Sequence, residues 1–205
     1  GVSVLCSSLL GGYAAGVALA GEPLEKVRDT VSSVLAVLSD KTLQAPEQAR
    51  ARRDKMRQAV FQRFGFEEMA QRALGPHWRK RTAADKQEFT TLFGELLERS
   101  YINKIESYTG EQSVSYTKET IDKDGYASVV SAIAGKHDLD VTVEYRLLRR
   151  DNDWQIYDVI IEGVSLGNNS RAQFDTIMRP ESYASLVPKL KLQLEQERAS
   201  SPTKG

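Results

Sequence analysis

The apolar positions of this chain change their period twice. From Pro23 onward, Leu24, Val27, Val31, Val34, Leu35 and Leu38 recur every three to four residues, the spacing of an amphipathic helix, and Pro23 suits its first turn. A second helix is expected from Pro46, with Met56, Val60, Phe61 and Phe64 on one side, and a short third from Phe66 to Leu74, closed by Gly75-Pro76. Thr82 and Asp85 form a capping box that opens a long helix striped with Phe89, Leu92, Phe93, Leu96, Leu97, Tyr101 and Ile105. After Gly110 the period falls to two. Ser113–Ile121, Tyr126–Ala134, Leu139–Arg149 and Trp154–Glu162 are rich in Val, Ile, Tyr and Thr and read as strands. The segments 122–125, 135–138 and 151–153 between them are turns by composition. Three short turns in a row dictate an antiparallel meander, since parallel neighbours need long crossovers. Helical spacing returns over Asn168–Met178 and Tyr183–Arg198. The pattern predicts one α+β domain over residues 21–198, a four-stranded antiparallel meander with helices packed on one face, and a frayed tail over 199–205.

On the third strand Val141, Val143, Tyr145 and Leu147 alternate with Thr142, Glu144 and Arg146, giving one apolar face. The second strand carries small side chains nearly throughout, Ala127, Ser128, Val130, Ser131 and Ala132 among them. Small strand residues beneath large helix residues permit an unfilled volume, although close packing is the default reading of the same residues. The candidate lining of such a cavity, chosen from apolar faces, is Val130, Ala132, Val143, Tyr145, Leu147 and Ile156 on the strands and Leu92, Leu96 and Tyr101 on the long helix. The faces of the fourth strand stay ambiguous, because Val159-Ile160-Ile161 is continuous.

The chain has 205 residues, with 28 Lys+Arg against 28 Asp+Glu. This balance argues against electrostatic capture of nucleic acid as its main work. The charge is unevenly placed. Residues 1–20 carry none, and the rest divides into 16 basic and 13 acidic residues over 21–110 and 12 and 15 over 111–205. The uncharged leader closes on Ala18-Leu19-Ala20, the small-x-small pattern that signal peptidase requires, so residues 1–20 are expected to be a signal peptide. Cys6, the only cysteine, lies within it, leaving a mature chain without disulfides, thiol catalysis or sulfur ligands. Export without disulfides fits a bacterial periplasm. Two basic runs, Arg50–Arg57 and Arg79–Arg81, are solvated helix faces by default and a docking surface for an acidic partner or lipid headgroups on the sharper reading.

Gly163-Val164-Ser165-Leu166-Gly167 matches the G-x-S-x-G elbow of serine hydrolases, but both histidines, His77 and His137, precede Ser165, and the preceding sheet is antiparallel. His137 reads as a turn residue and His77 as a helix-end partner. Ser115-Tyr116-Thr117-Lys118 matches S-x-x-K inside a strand and lacks its companion motifs. No phosphate-binding or dinucleotide fingerprint is present and no cofactor is expected. A small-cavity enzyme would have to draw its acid and base from Glu144, Asp158 and Glu162.

The block Trp154–Leu166 (WQIYDVIIEGVSL), followed by Asn169, Arg171, Gln173 and Phe174, resembles the signature of the toluene-tolerance, or MlaC, family. Ala73-Leu74-Gly75 with Trp78, then Phe89, Phe93, Leu97 and Tyr101, and Val143–Leu147 are similar to the family pattern in order and spacing, so that the likeness spans residues 23–195. Ser170 departs from it, standing where relatives often carry an aromatic. The resemblance implies a monomeric, non-enzymatic periplasmic carrier of phospholipid in the maintenance of outer-membrane lipid asymmetry, with acyl chains in a cavity between sheet and helices. It also implies docking to an outer-membrane lipoprotein–porin complex and to an inner-membrane ABC transporter. A cavity-free adaptor bridging envelope complexes is the competing expectation.

Overall fold

The computed structural model describes residues 21–134, 140–179 and 182–200. The expected leader over 1–20, the turn containing His137 and the end of the tail lie outside the described residues. The chain begins with helices α1 (Glu22–Ser39), α2 (Ala49–Phe61), α3 (Phe66–Leu74) and α4 (Ala83–Glu106). It continues through strands β1 (Val114–Ile121), β2 (Tyr126–Ile133), β3 (Val141–Arg150), β4 (Asp153–Ile161) and β5 (Val164–Ser165), then helices α5 (Leu166–Met178) and α6 (Tyr183–Ser200). The fold is α+β, an antiparallel sheet of four main strands in sequential order plus the short β5. Both halves of the capping box form, the Asp85 amide donating to Thr82 Oγ1 at 3.1 Å and the Thr82 amide to Asp85 at 3.0 Å.

The unforeseen β5 follows from a two-residue turn. Glu162 and Gly163 have φ of 49° and 79°, which lets the chain reverse and pairs Val164 with Ile161. Glu162 tolerates this because its amide donates to Thr142 O at 3.0 Å and its carboxylate accepts from the Thr142 amide. Between β3 and β4 the turn is likewise two residues, Asp151 and Asn152, with φ of 51° and 63°, and Asp153 pairs with Arg150 as part of the strand.

Two carboxylates moor α1. Glu119 on β1 accepts from the Gly21 and Leu24 amides at 2.8 and 2.9 Å, occupying the helix's orphan donors. Asp153 joins Lys26 of α1 at 3.2 Å to Arg63 of the α2–α3 link at 2.7 Å. Burial raises the Asp153 carboxyl, but the Trp154 amide and the two cations more than offset this and hold it below its ordinary 3.8. A group depressed in the folded state contributes stability above its unfolded value and loses it as pH falls. Asp153→Asn should therefore flatten the loss of stability in urea melts taken stepwise below about pH 4. Identical slopes for both proteins would remove the carboxylate from the account.

Three apolar cores result. α3–α6 pack on one another through Met69, Phe89, Phe93, Phe174, Leu186 and Leu190. α1 packs on one face of the sheet through Val27, against Val129, Val143, Leu147 and Ile156. α1, α2 and α4 meet through Leu38, Met56, Val60 and Ile102.

Candidate functional site

Between the second and third cores the packing is incomplete. A cavity of about 270 Å³ is bounded by α1 (Val31, Val34, Leu35, Leu38), by the end of α2 and its following turn (Val60, Phe61, Phe64), and by α4 (Leu97, Tyr101, Ile102, Ile105). Its roof is the sheet, through Val141, Val143 and Tyr145 of β3 and Ile156, Val159 and Ile161 of β4. Its volume falls near the lower end of small-molecule pockets. Val141 and Ile133 are half-buried, Val143 and Tyr145 are 6% and 9% exposed, and Leu147 is 0%. The cavity therefore opens at the Val141 end of the sheet and closes toward Tyr145. That run covers roughly 13 Å, close to the hydrocarbon depth of one bilayer leaflet.

The lining is apolar apart from a few groups. Lys104, which is exposed, is its one charged side chain, with the ammonium 5.1 Å from the centre of the Tyr101 ring. Thr30 turns its hydroxyl away to Lys26 O at 2.9 Å. Burial pushes the Tyr145 phenol up to about 12, so it is an uncharged hydroxyl throughout the physiological range.

Of the nine residues expected to line a cavity, Tyr101, Val143, Tyr145 and Ile156 do. Leu147 shares their face but lies past the closed end, in the solid part of the sheet core. Val130 and Ala132 require correction. They stand opposite Glu144 and Thr142 in the register, on the other face of the sheet, whereas Val129 and Ser131 face the helices. Leu92 and Leu96 also require correction, because they pack into the helical core of α3–α6. The broad stripe on α4 splits as the helix passes from that core to the cavity, so that its last two turns supply the wall. The walls from α1 and α2 were not anticipated; the signal was the 3.6-residue stripe of α1, whose Val34 and Leu35 side reads as ordinary core.

The ambiguous β4 is settled by a bulge. Arg146 pairs with Asp158 and Leu147 with Ile156, leaving Tyr157 without an opposite residue. The extra residue shifts the alternation, which puts Val159 and Ile161 with Ile156 on the cavity face and Ile160 on the other.

None of the candidate acids lies in the cavity. Glu144 is held by Ser128 and Arg146 at 2.9 and 3.2 Å, and Glu162 is exposed at the β4–β5 turn. Asp158 is buried and accepts from Ser165 Oγ at 2.6 Å and the Gly167 amide at 3.0 Å. Ser165 is the N-cap of α5, its Oγ accepting from the Asn168 amide at 3.0 Å, so the hydrolase-like pattern is a helix start. His77 Nε2 sits 3.8 Å from Asp175 at the end of its turn. Ser170, the one departure from the family pattern named above, donates its hydroxyl to Leu166 O at 2.8 Å. Among the described residues no helix is long and apolar enough to cross a membrane, and no cluster of three or more His, Cys, Asp or Glu could hold a metal ion.

Comparison with known proteins agrees with this geometry. The family described as MlaC protein matches residues 28–192. The chain is 20% identical over 182 residues to the intermembrane phospholipid transport system binding protein MlaC of Haemophilus influenzae, covering 87% of this chain and 81% of the relative. It also superposes with a TM-score of 0.74 on the phospholipid-binding protein from Ralstonia solanacearum, solved in complex with a phospholipid at 1.53 Å. That match is 25% identical and covers 87% of this chain and 99% of the other.

Proposed function

Because the chain belongs to the MlaC protein family, we propose that it carries phospholipid between the two membranes of a bacterial envelope, with acyl chains in the cavity beneath the sheet. The family is one of lipid-binding transport proteins and not of enzymes. The observation that carries the reading is the apolar cavity itself, in a fold that superposes on a phospholipid complex. A cavity-free adaptor would have no use for that space.

The energetics favour such a carrier. Exposing acyl chain to water costs about 0.8 kcal/mol per CH₂, so two chains of about 16 carbons would cost on the order of 25 kcal/mol. Such a barrier closes the uncatalysed route on any useful timescale. The open end of the cavity leaves the headgroup in solvent, where the Lys104 ammonium meets its phosphate. The periplasm is the compartment of the reading, and its partners are an outer-membrane lipoprotein–porin complex that supplies or takes lipid and an inner-membrane ABC transporter.

Native mass spectrometry of gently purified protein tests it. A phospholipid-sized mass on the monomer, released by organic extraction, is the expected result. Protein that never carries such a mass, even after incubation with phosphatidylglycerol or phosphatidylethanolamine vesicles, would remove the carrier reading and leave the adaptor.

A further inference from the structure

A second depression, of about 860 Å³, lies on the other face of the sheet. Arg146, Tyr157 and Asp158 line it, whereas Tyr145, Ile156 and Val159 line the cavity, so the same two strands present alternate side chains to the two sites. Its remaining walls are α3, the 3-10 turn Gly75–Lys80 and the first turns of α5. Five cations reach it, Arg72, Arg79, Lys80, Arg146 and Arg171, against two carboxylates, Glu68 and Asp158.

Both carboxylates are already engaged. Glu68 accepts from Arg72 at 2.7 Å and Arg150 at 3.1 Å, and Asp158 is held by Ser165 and Gly167. Arg79, Lys80 and Arg171 form no ion pair among the described residues. In the first basic run three of the five cations are paired, Arg52 and Arg53 on Glu106 at 3.6 and 3.4 Å and Arg57 on Glu98 at 3.0 Å. Arg171 is also held in place. Its guanidinium packs against Gly75, where an added Cβ would come within 3.1 Å of it. Arg72 stacks over the Tyr157 ring at 4.0 Å. The groove is thus a positioned cationic surface with aromatic floor and an unneutralised surplus of charge.

We propose that this groove docks an acidic segment of a partner protein, and that it does so whether or not the cavity holds a lipid. Charge complementarity names the occupant. The sheet separates the groove from the cavity, which rules out the headgroup of a bound lipid. Arg79, Lys80 and Arg171 are all exposed, so an incoming chain can meet them. An extended acidic chain can meet several of these cations in turn.

The probe is a fluorescein-labelled oligoglutamate peptide, followed by anisotropy on the lipid-loaded and lipid-depleted protein at low and high salt. Paired with it is Arg79→Glu/Lys80→Glu, whose side chains are exposed and whose fold is checked by thermal unfolding. The control is Arg53→Glu/Arg57→Glu, with the same change in net charge on the other basic run. The expected result is peptide affinity at least about tenfold weaker in the groove variant, near wild type in the control, and equal in both lipid states. Equal losses in the two variants would overturn the proposal. So would a groove that binds phosphatidylglycerol vesicles or inorganic phosphate through Arg79 and Lys80 but not the peptide. Absence of lipid from the cavity leaves this readout untouched, so the two readings fail separately.

Discussion

Val143→Glu is expected to strip phospholipid from the purified protein, and Val130→Lys to leave it in place. Val143 is 6% exposed on the cavity roof, between Ser131 and Ile161 in the register and flanked along its strand by Val141 and Tyr145. A carboxyl placed there neutralises itself by a raised pKa and still leaves a polar group in apolar surroundings, at about 1–3 kcal/mol. Because the cavity opens toward Val141, the new side chain can turn to water at the expense of the space a chain would fill. Displacing only two methylenes costs about 1.6 kcal/mol, or roughly fifteenfold in retention, and an unsatisfied carboxyl in the wall raises the loss further. Val130 lies on the opposite face between Glu144 and Lys118 in the register, so lysine there meets one carboxylate and one ammonium and no cavity. The check is phosphate content of organic extracts per mole of protein, read beside the urea midpoint of each variant. If Val143→Glu costs stability and lipid in equal proportion, Val143 is plain core.

This contrast turns on one residue of register, which marks where sequence reading succeeds and where it stops. Element type and order were legible because local rules agree with the final structure: the Thr82–Asp85 box, the period-two runs and the turn-forming Asp-Asn and Asp-Gly pairs. The face of β2 was not, since Val129, Val130, Ser131 and Ala132 are too alike in polarity for alternation to show which row is buried. The continuous Val159-Ile160-Ile161 concealed a bulge at Tyr157, a feature decided by pairing with β3 and by what α5 and Asp158 need nearby. On α4 the stripe predicted burial correctly, but burial against α6 and burial against a cavity have the same hydrophobic pattern. A void is a property of several segments at once, here α1, α2, α4 and four strands, and no single periodicity encodes it.

Phe93→Ala is expected to give the complementary result, a large loss of stability with the cavity intact. Phe93 is fully buried, stacked on Phe89 at 5.8 Å between ring centres and edge-on to Phe174 at 5.8 Å, while Phe89 and Phe174 meet at 5.5 Å. Truncating one member of this trio removes its transfer free energy and two ring contacts and leaves a hole that neighbouring helices fill poorly, at about 3–5 kcal/mol. For a domain of this size each kcal/mol shifts Tm by about 2–4 °C, so a fall of roughly 10–15 °C is expected by calorimetry. Phe93 does not line the cavity, and its core shares only Leu97 and a few neighbours with the cavity wall. Lipid content measured well below the lowered Tm should then match wild type. A ligand that binds only the folded state adds RT ln(1 + [L]/Kd) to stability, and that increment is the same in both proteins when Kd is unchanged. Comparing lipid-loaded with lipid-depleted Tm for wild type and Phe93→Ala therefore closes a double-mutant style cycle between core and cavity. Equal increments assign Phe93, and with it Leu92 and Leu96, to the scaffold. A smaller increment in the variant makes the helical core part of the binding site, and the division between the two would have to be redrawn.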